Sequence, residues 1–198
     1  MRNYLALLGW GDADDETIIP TDELVKRFAL ERVQRNPARF DETKLRWMNG
    51  RYIRELPVPA LTQRLEGYLG RDGDLQGAVA ASHEKIQTLA DFWPLVGPIY
   101  DGPVDDPKAR EQWLDGAGRE AVQAAREALA GVEPWDAEHL EQALQPVIER
   151  RGLKPRQLFQ PIRVAVVGRT VSPGIFETLE LLGRDEALSR MDAALSGG

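Results

Sequence analysis

Leu158–Leu182, L-F-Q-P-I-R-V-A-V-V-G-R-T-V-S-P-G-I-F-E-T-L-E-L-L, sets the reading of the whole chain. Its apolar run, Ile162–Val167, encloses a single cation, Arg163. The β-branched residues of that run would also suit a buried strand. No second strand is evident to pair with it, and no other segment sustains a two-residue alternation, so the run reads as helix. A turn follows at Gly168–Gly174, and an amphipathic segment begins at Ile175. Ser172 followed by Pro173 reads as a helix start, with the hydroxyl capping free N–H groups and proline at the first helical position. A cation, a tight turn and a helix N-terminus together suit an anion or a base edge. On pattern alone, the plainer reading is a core helix, a turn and another core helix.

Working outward, the rest of the chain is helix after helix. Residues 3–10 read as a short helix, 11–20 as an acidic loop, and Thr21 opens another helix with Asp22 and Glu23 in its first turn. Asn36–Pro37 breaks the pattern. Asp41 caps a helix over about 40–55, with Leu45, Met48, Tyr52 and Ile53 at helical spacing. Trp47 and Tyr52 could stack a base, but both are expected to pack inside. Gly50 within that helix costs about 1 kcal/mol relative to alanine and admits a close neighbour. Beyond Pro57 the expected helices cover roughly 59–70, 74–92, 106–130, 136–151, 155–168, 173–183 and 184–195. Pro94, Pro98 and Pro103 read as a long turn, and Pro146 as a kink or a shifted helix start.

Composition removes several function classes. With 198 residues and 42% apolar content the chain can build one large core or two small ones. The absence of cysteine excludes a disulfide framework, a thiolate metal site and a cysteine nucleophile. His83 and His139 are far apart, which disfavours a histidine metal site. No apolar run approaches the ~20 residues that span a bilayer, and no signal-peptide pattern opens the chain, so a cytosolic protein is expected. No nucleophile elbow, Walker loop, dinucleotide fingerprint or zinc-protease motif is present, and the acidic pairs Asp14–Asp15 and Asp105–Asp106 read as caps and solvated loops.

The charge is unevenly spread. Residues 26–54 hold nine cations and three acids, and residues 150–169 hold six cations and no acid. Each segment is thus +6, which leaves −19 for the remainder of a chain whose net charge is −7. Two basic patches on an acidic body give attraction at chosen places and repulsion elsewhere, as selective phosphate contact requires. Solvated surface arginines would give the same count.

The segments N-Y-L-A-L-L-G-W, F-D-E-T-K-L-R-W-M-N-G-R-Y-I-R, P-I-R-V-A-V-V-G-R-T-V-S-P-G-I-F-E-T-L-E-L-L-G and R-M-D-A-A-L resemble, in order, the C-terminal half of bacterial glutamyl-tRNA synthetases. The likeness is thinnest over about 60–150. It implies an all-α chain, with stem-contact helices over 1–56, a first anticodon-binding subdomain over 57–148 and a second over 149–198. The family's catalytic Rossmann-type domain, with its HIGH-like and lysine-rich motifs, would precede residue 1, so Met1 is expected to open an excised fragment without catalysis of its own.

By the same resemblance, Lys44, Arg46, Trp47, Arg51 and Arg54 would touch the inner side of the tRNA. Arg163, Ser172, Pro173 and Ile175 would hold anticodon bases. Lys85 stands where some members use an arginine for the third base. Lysine cannot form that fork, so Gln87 is expected to share the task. The implied partner is glutamate tRNA, with no membrane, no DNA and a monomeric chain. No cofactor is expected in this segment, with ATP and Mg2+ used by the parent enzyme. A helical protein-interaction scaffold that has lost RNA binding is the competing expectation.

Overall fold

The computed structural model describes residues 1–10, 18–33, 39–71 and 73–197. These form α1 (Arg2–Gly9), α2 (Thr21–Arg27), a 3-10 turn at Leu30–Arg32, α3 (Glu42–Arg54), α4 (Val58–Leu69) and α5 (Gln76–Ser82). A second 3-10 turn at Leu89–Asp91 leads into α6 (Phe92–Asp101), α7 (Pro107–Trp113), α8 (Gly116–Leu129) and α9 (Ala137–Arg151). The chain ends with α10 (Pro155–Val167), α11 (Ile175–Leu182) and α12 (Arg184–Ser196). The fold is all-α, as expected. Among the described residues the extended pairing is a single bridge between Trp10 and Val33. Asn36–Pro37, Arg35, Gly11 and Asp14–Asp15 lie outside the described residues.

The run Ile162–Val167 is helical and central. Leu158, Ile162 and Val166 of α10 are completely buried, and α10 packs on α8 and α12. One continuous apolar cluster runs from Ile53 through α4–α6 and α8–α10 to Met191. Burying side chains of this size contributes roughly 1.5–3 kcal/mol each. Gly168 ends α10 with φ of 79°. A Cβ there would fall 1.8 Å from the Val104 carbonyl oxygen, while the Val104 N–H donates to Val167 O at 3.1 Å. Glycine is therefore required both by the left-handed turn and by the segment that crosses it. This fixes where α10 stops and the turn to α11 begins.

A smaller cluster holds α1 against α3. Tyr4, Trp10 and Ile19 are buried, and the Tyr52 hydroxyl donates to Asn3 Oδ1 at 2.8 Å, which also accepts from Ile19 N–H at 3.2 Å. Tyr52 thus packs inside, as expected.

Several local expectations are corrected. The region 74–92 is not one helix: α5 stops at Ser82 and the chain turns before Leu89. Pro94 and Pro98 are not in a turn but inside α6. Pro94 sits in its first turn, where no intrahelical N–H bond is lost, and Val96, Gly97, Pro98 and Ile99 are all buried, so packing overrides the cost of the second proline. The 106–130 segment breaks at Leu114, because Asp115 caps α8 by accepting from Gly118 N–H at 2.8 Å. Pro146 lies inside α9 and does not shift its start. Ser172 does not cap α11: the helix starts at Ile175 after Gly174, without a side-chain cap.

Candidate nucleic-acid interface

The turn from α10 to α11 is built around the Ser172 hydroxyl. Arg163 Nε donates to Ser172 Oγ at 2.8 Å, and the Thr178 hydroxyl donates to it at 3.2 Å. Ser172 in turn donates to the Pro173 carbonyl at 2.8 Å. The hydroxyl expected to cap a helix is therefore spent on a hub that fixes the arginine. Ser172, Pro173 and Ile175 are buried, and Ile175 belongs to the main core. Arg163 is half-buried, and Val171 stands 60% exposed beside the hub. The polar edge of the turn comes from Arg163 and its apolar edge from Val171. Pro173 and Ile175 support it from behind.

Lys85 reaches the same hub from the end of α5, with Nζ donating to the Ser172 carbonyl at 3.3 Å. Thus Lys85, Arg163 and Ser172, far apart in sequence, meet at one place. Burial lowers the Lys85 ammonium below its ordinary range, and the Arg163 charge lowers it further, while Glu177 counteracts both. Burial also lowers the Arg163 guanidinium, again against Glu177. The Glu177 carboxylate folds back over Gly174, where an added Cβ would lie 1.9 Å from Oε2. Between α5 and α11 lies an open cleft of about 650 Å³, lined by Ala80, Ala81, Glu84, Lys85, Gly174 and Glu177 among others. Its lining offers one cationic donor, Lys85, with the carboxylates of Glu84, Glu177 and Glu180 and small apolar walls, where an unstacked base could find both donors and acceptors.

Gln87 is exposed and lies toward α3 rather than in the hub. Its carbonyl accepts from Asn49 Nδ2, and its N–H donates to Asp91 at 3.0 Å. Asp91 also accepts from Thr88 N–H at 2.9 Å and from Arg46 Nη2 at 2.8 and 3.1 Å. Burial would push the Asp91 carboxyl up, but these bonds outweigh it and hold the group below its ordinary value. Arg46 is therefore engaged with the 87–91 turn. Gly50 admits this close packing, with Gln87 Cα only 3.4 Å from where its Cβ would stand.

The opposite face of α3 is different. Lys44, Trp47 and Arg51 recur at three- and four-residue intervals and share one side of the helix. All three are exposed, and Trp47 is 45% exposed rather than packed inside as expected. Arg54 continues the stripe but lies half-buried, 3.9 Å from Glu84. Asp41 caps the helix as expected, accepting from Lys44 N–H at 3.0 Å. Cations interleaved with an exposed indole can meet phosphates and an aromatic face at once.

Sequence reasoning missed Thr178, Val171 and Glu177. An i, i+6 link such as Ser172–Thr178 across a helix start leaves no periodic signal. Glu177 was visible only as first-turn acid, a common dipole complement.

The residues on either side of this site fall within recognised relatives. Residues 60–195 match the family model described as "Anticodon binding domain". The chain is 40% identical over 210 residues to the glutamate–tRNA ligase of Rhodococcus jostii, covering 100% of this chain and 43% of that protein. It is 44% identical over 204 residues to the glutamate–tRNA ligase of Mycobacterium tuberculosis, covering 98% of this chain and 42% of that protein. The chain thus spans less than half the length of these curated relatives, and the part it matches is their C-terminal part. A glutamate tRNA ligase structure from Elizabethkingia meningosepticum, in complex with its amino acid, superimposes with a TM-score of 0.85 at 24% identity. It covers 98% of this chain and 40% of that one, and shows the fold. With most of its length inside the matched model, the chain belongs to the anticodon-binding domain family.

Proposed function

We propose that this chain is the tRNA-recognition part of a glutamate–tRNA ligase, binding the anticodon and inner stem of glutamate tRNA. The observation that carries the reading is the convergence of Lys85 and Arg163 on Ser172, within the region that matches the anticodon-binding family. Arg163 and Lys85 supply directed donors for base edges, and the α3 stripe of Lys44, Trp47 and Arg51, with Arg54, supplies contacts to the stem backbone. Arg46 acts through Asp91 by holding α3 to the 87–91 turn, and Gln87 stands at that junction. Pro173 and Ile175 shape the anticodon wall from within the core.

In this reading residues 1–56 carry stem contacts, and residues 57–148 and 149–198 carry the two anticodon-binding subdomains. The complete ligase would join glutamate to the tRNA 3′ end with ATP and Mg2+, using a part of the protein other than this one, in the cytoplasm. The chain would act on RNA as a monomer. Among the described residues no helix is long and apolar enough to cross a membrane.

The test is binding of this chain to glutamate tRNA, to its anticodon variants and to an unrelated tRNA across a salt series. The reading predicts preference for the glutamate anticodon and a steep loss of affinity with salt. Equal binding to every RNA, or a flat salt response, fits the scaffold alternative instead.

A further inference from the structure

Arg169 follows Gly168, three residues before Ser172 in the α10–α11 turn, and its Nε and Nη2 are buried with no hydrogen-bond partner among the described residues. Buried guanidinium nitrogens are normally paired, because leaving such donors unmatched costs the full desolvation penalty. Arg190 and Arg163 follow that rule. Arg190, 8% exposed, is held by Glu186 and by the carbonyls of Pro98, Ile99 and Val166. Arg184 is intermediate: its Nη2 donates to the Ala130 and Val132 carbonyls, while its Nε is buried with no partner among the described residues. Arg163 has Ser172 as partner and Glu177 as counter-charge. Among the described residues Arg169 has no carboxylate to offset its burial, and burial lowers its affinity for the proton. A trapped water would pair its donors but would leave the charge uncompensated.

The residue as a whole is only part-buried, and its flexible stem lets the guanidinium turn outward. Little holds it in its inward position, and exposed Val171 marks the open side of the same turn. We infer that Arg169 is a phosphate-binding residue, which swings out from this turn to take a phosphodiester of the RNA strand lying against Arg163 and Ser172. The inference rests on the RNA-binding reading for the identity of the anion. A planar fork of donors matches a phosphate bidentately. The bound state satisfies nitrogens that the free state leaves unmatched, so the residue trades stability of the free chain for affinity.

That trade gives two readouts of opposite sign. Arg169→Met, of similar length and apolar, is expected to raise the Tm of the free chain by about 2–4 °C, the shift that relief of one unpaired buried group gives in a domain of this size. The same variant is expected to weaken binding of the anticodon stem-loop of glutamate tRNA and to reduce the steepness of its log–log salt dependence by about 0.7, one single-strand phosphate. A stem-loop with one neutral methylphosphonate linkage at the contacted position should bind wild type more weakly and Arg169→Met no more weakly than the unmodified loop. Arg169→Lys should keep most of the salt dependence. Inorganic phosphate should raise the Tm of wild type and not of Arg169→Met. If wild type ignores the stem-loop while this phosphate protection depends on Arg169, the RNA reading fails and the anion site stands. A lowered Tm or a failure to fold in Arg169→Met overturns the inference, because it marks a structural arginine. Phosphate protection that is unchanged in the variant overturns it as well.

Discussion

The face of α3 and the turn between α10 and α11 both present arginine and lysine, yet they are built in different ways. On α3, Lys44 and Arg51 stand in solvent at helical spacing around the half-exposed Trp47. In the turn, Arg163 and Lys85 are fixed by hydrogen bonds to Ser172 and face one carboxylate, Glu177. Free surface cations attract phosphate from any direction and fit many sequences. Fixed donors in a partly desolvated notch reward only a group of the right shape and pattern. Under the proposed RNA-binding reading, affinity would be spread over the stripe and selectivity concentrated in the turn.

The largest expected effect concerns the frame that holds the turn. Arg190→Ala would leave Pro98, Ile99 and Val166 carbonyls without their donor and Glu186 without its partner. We expect a loss of about 3–5 kcal/mol in denaturant unfolding, with no direct effect attributable to RNA contact. A loss below 1 kcal/mol would show that α10 and α12 are held by apolar packing alone.

Ser172→Ala comes next, since it removes a buried hub. We expect destabilisation of about 1–3 kcal/mol, together with loss of selectivity as Arg163 is released. Ser172→Thr should restore selectivity if it retains the hydroxyl geometry. Selectivity that survives Ser172→Ala would separate the arginine from its hub.

The stripe should respond differently. Arg51→Ala is expected to weaken all tRNAs alike and to lower the salt slope by about 1, with unchanged thermal stability. If Arg51→Ala instead changes the preference among anticodons, the contrast between the two regions collapses.

The smallest effect is the pH response of Asp91. Its carboxyl is held below the ordinary value of 3.8 by Arg46 and the Gln87 and Thr88 N–H groups, against the opposing influence of burial. The stability this confers is fully present above 3.8 and is lost as pH falls through the lowered folded value. Asp91→Asn should therefore cost stability near neutral pH, and wild type and variant should converge in acid. A constant difference down to low pH would mean that the 87–91 turn depends on shape and not on charge.

Much of the fold was legible because local rules and packing agree. The run Ile162–Val167 lacked a partner strand and proved helical; Asp41 and Asp106, both read as cap candidates, occupy cap positions and accept N–H bonds from Lys44 and Ala109. Reading failed where tertiary contact outweighs local preference. Pro94 and Pro98 are tolerated within α6 because the helix buries one face in the core. Ser172 had the right neighbours for a cap, yet Arg163 and Thr178 claim its hydroxyl. The meeting of Lys85 with Ser172 across 87 residues has no signature in spacing. Trp47 occupies the exposed side of α3, a placement decided by which face turns toward the 87–91 segment. The basic segments were visible as charge, but not the division between engaged Arg46 and exposed Arg51.

The most direct measurement is a binding comparison of wild type and Arg163→Ala with glutamate tRNA and a set of single-base anticodon variants at fixed salt. The account predicts that wild type prefers the glutamate anticodon and that Arg163→Ala loses about 1–3 kcal/mol of that preference while keeping the common, salt-sensitive part of its affinity. Intact preference in Arg163→Ala, or an equal loss for every anticodon, would contradict it.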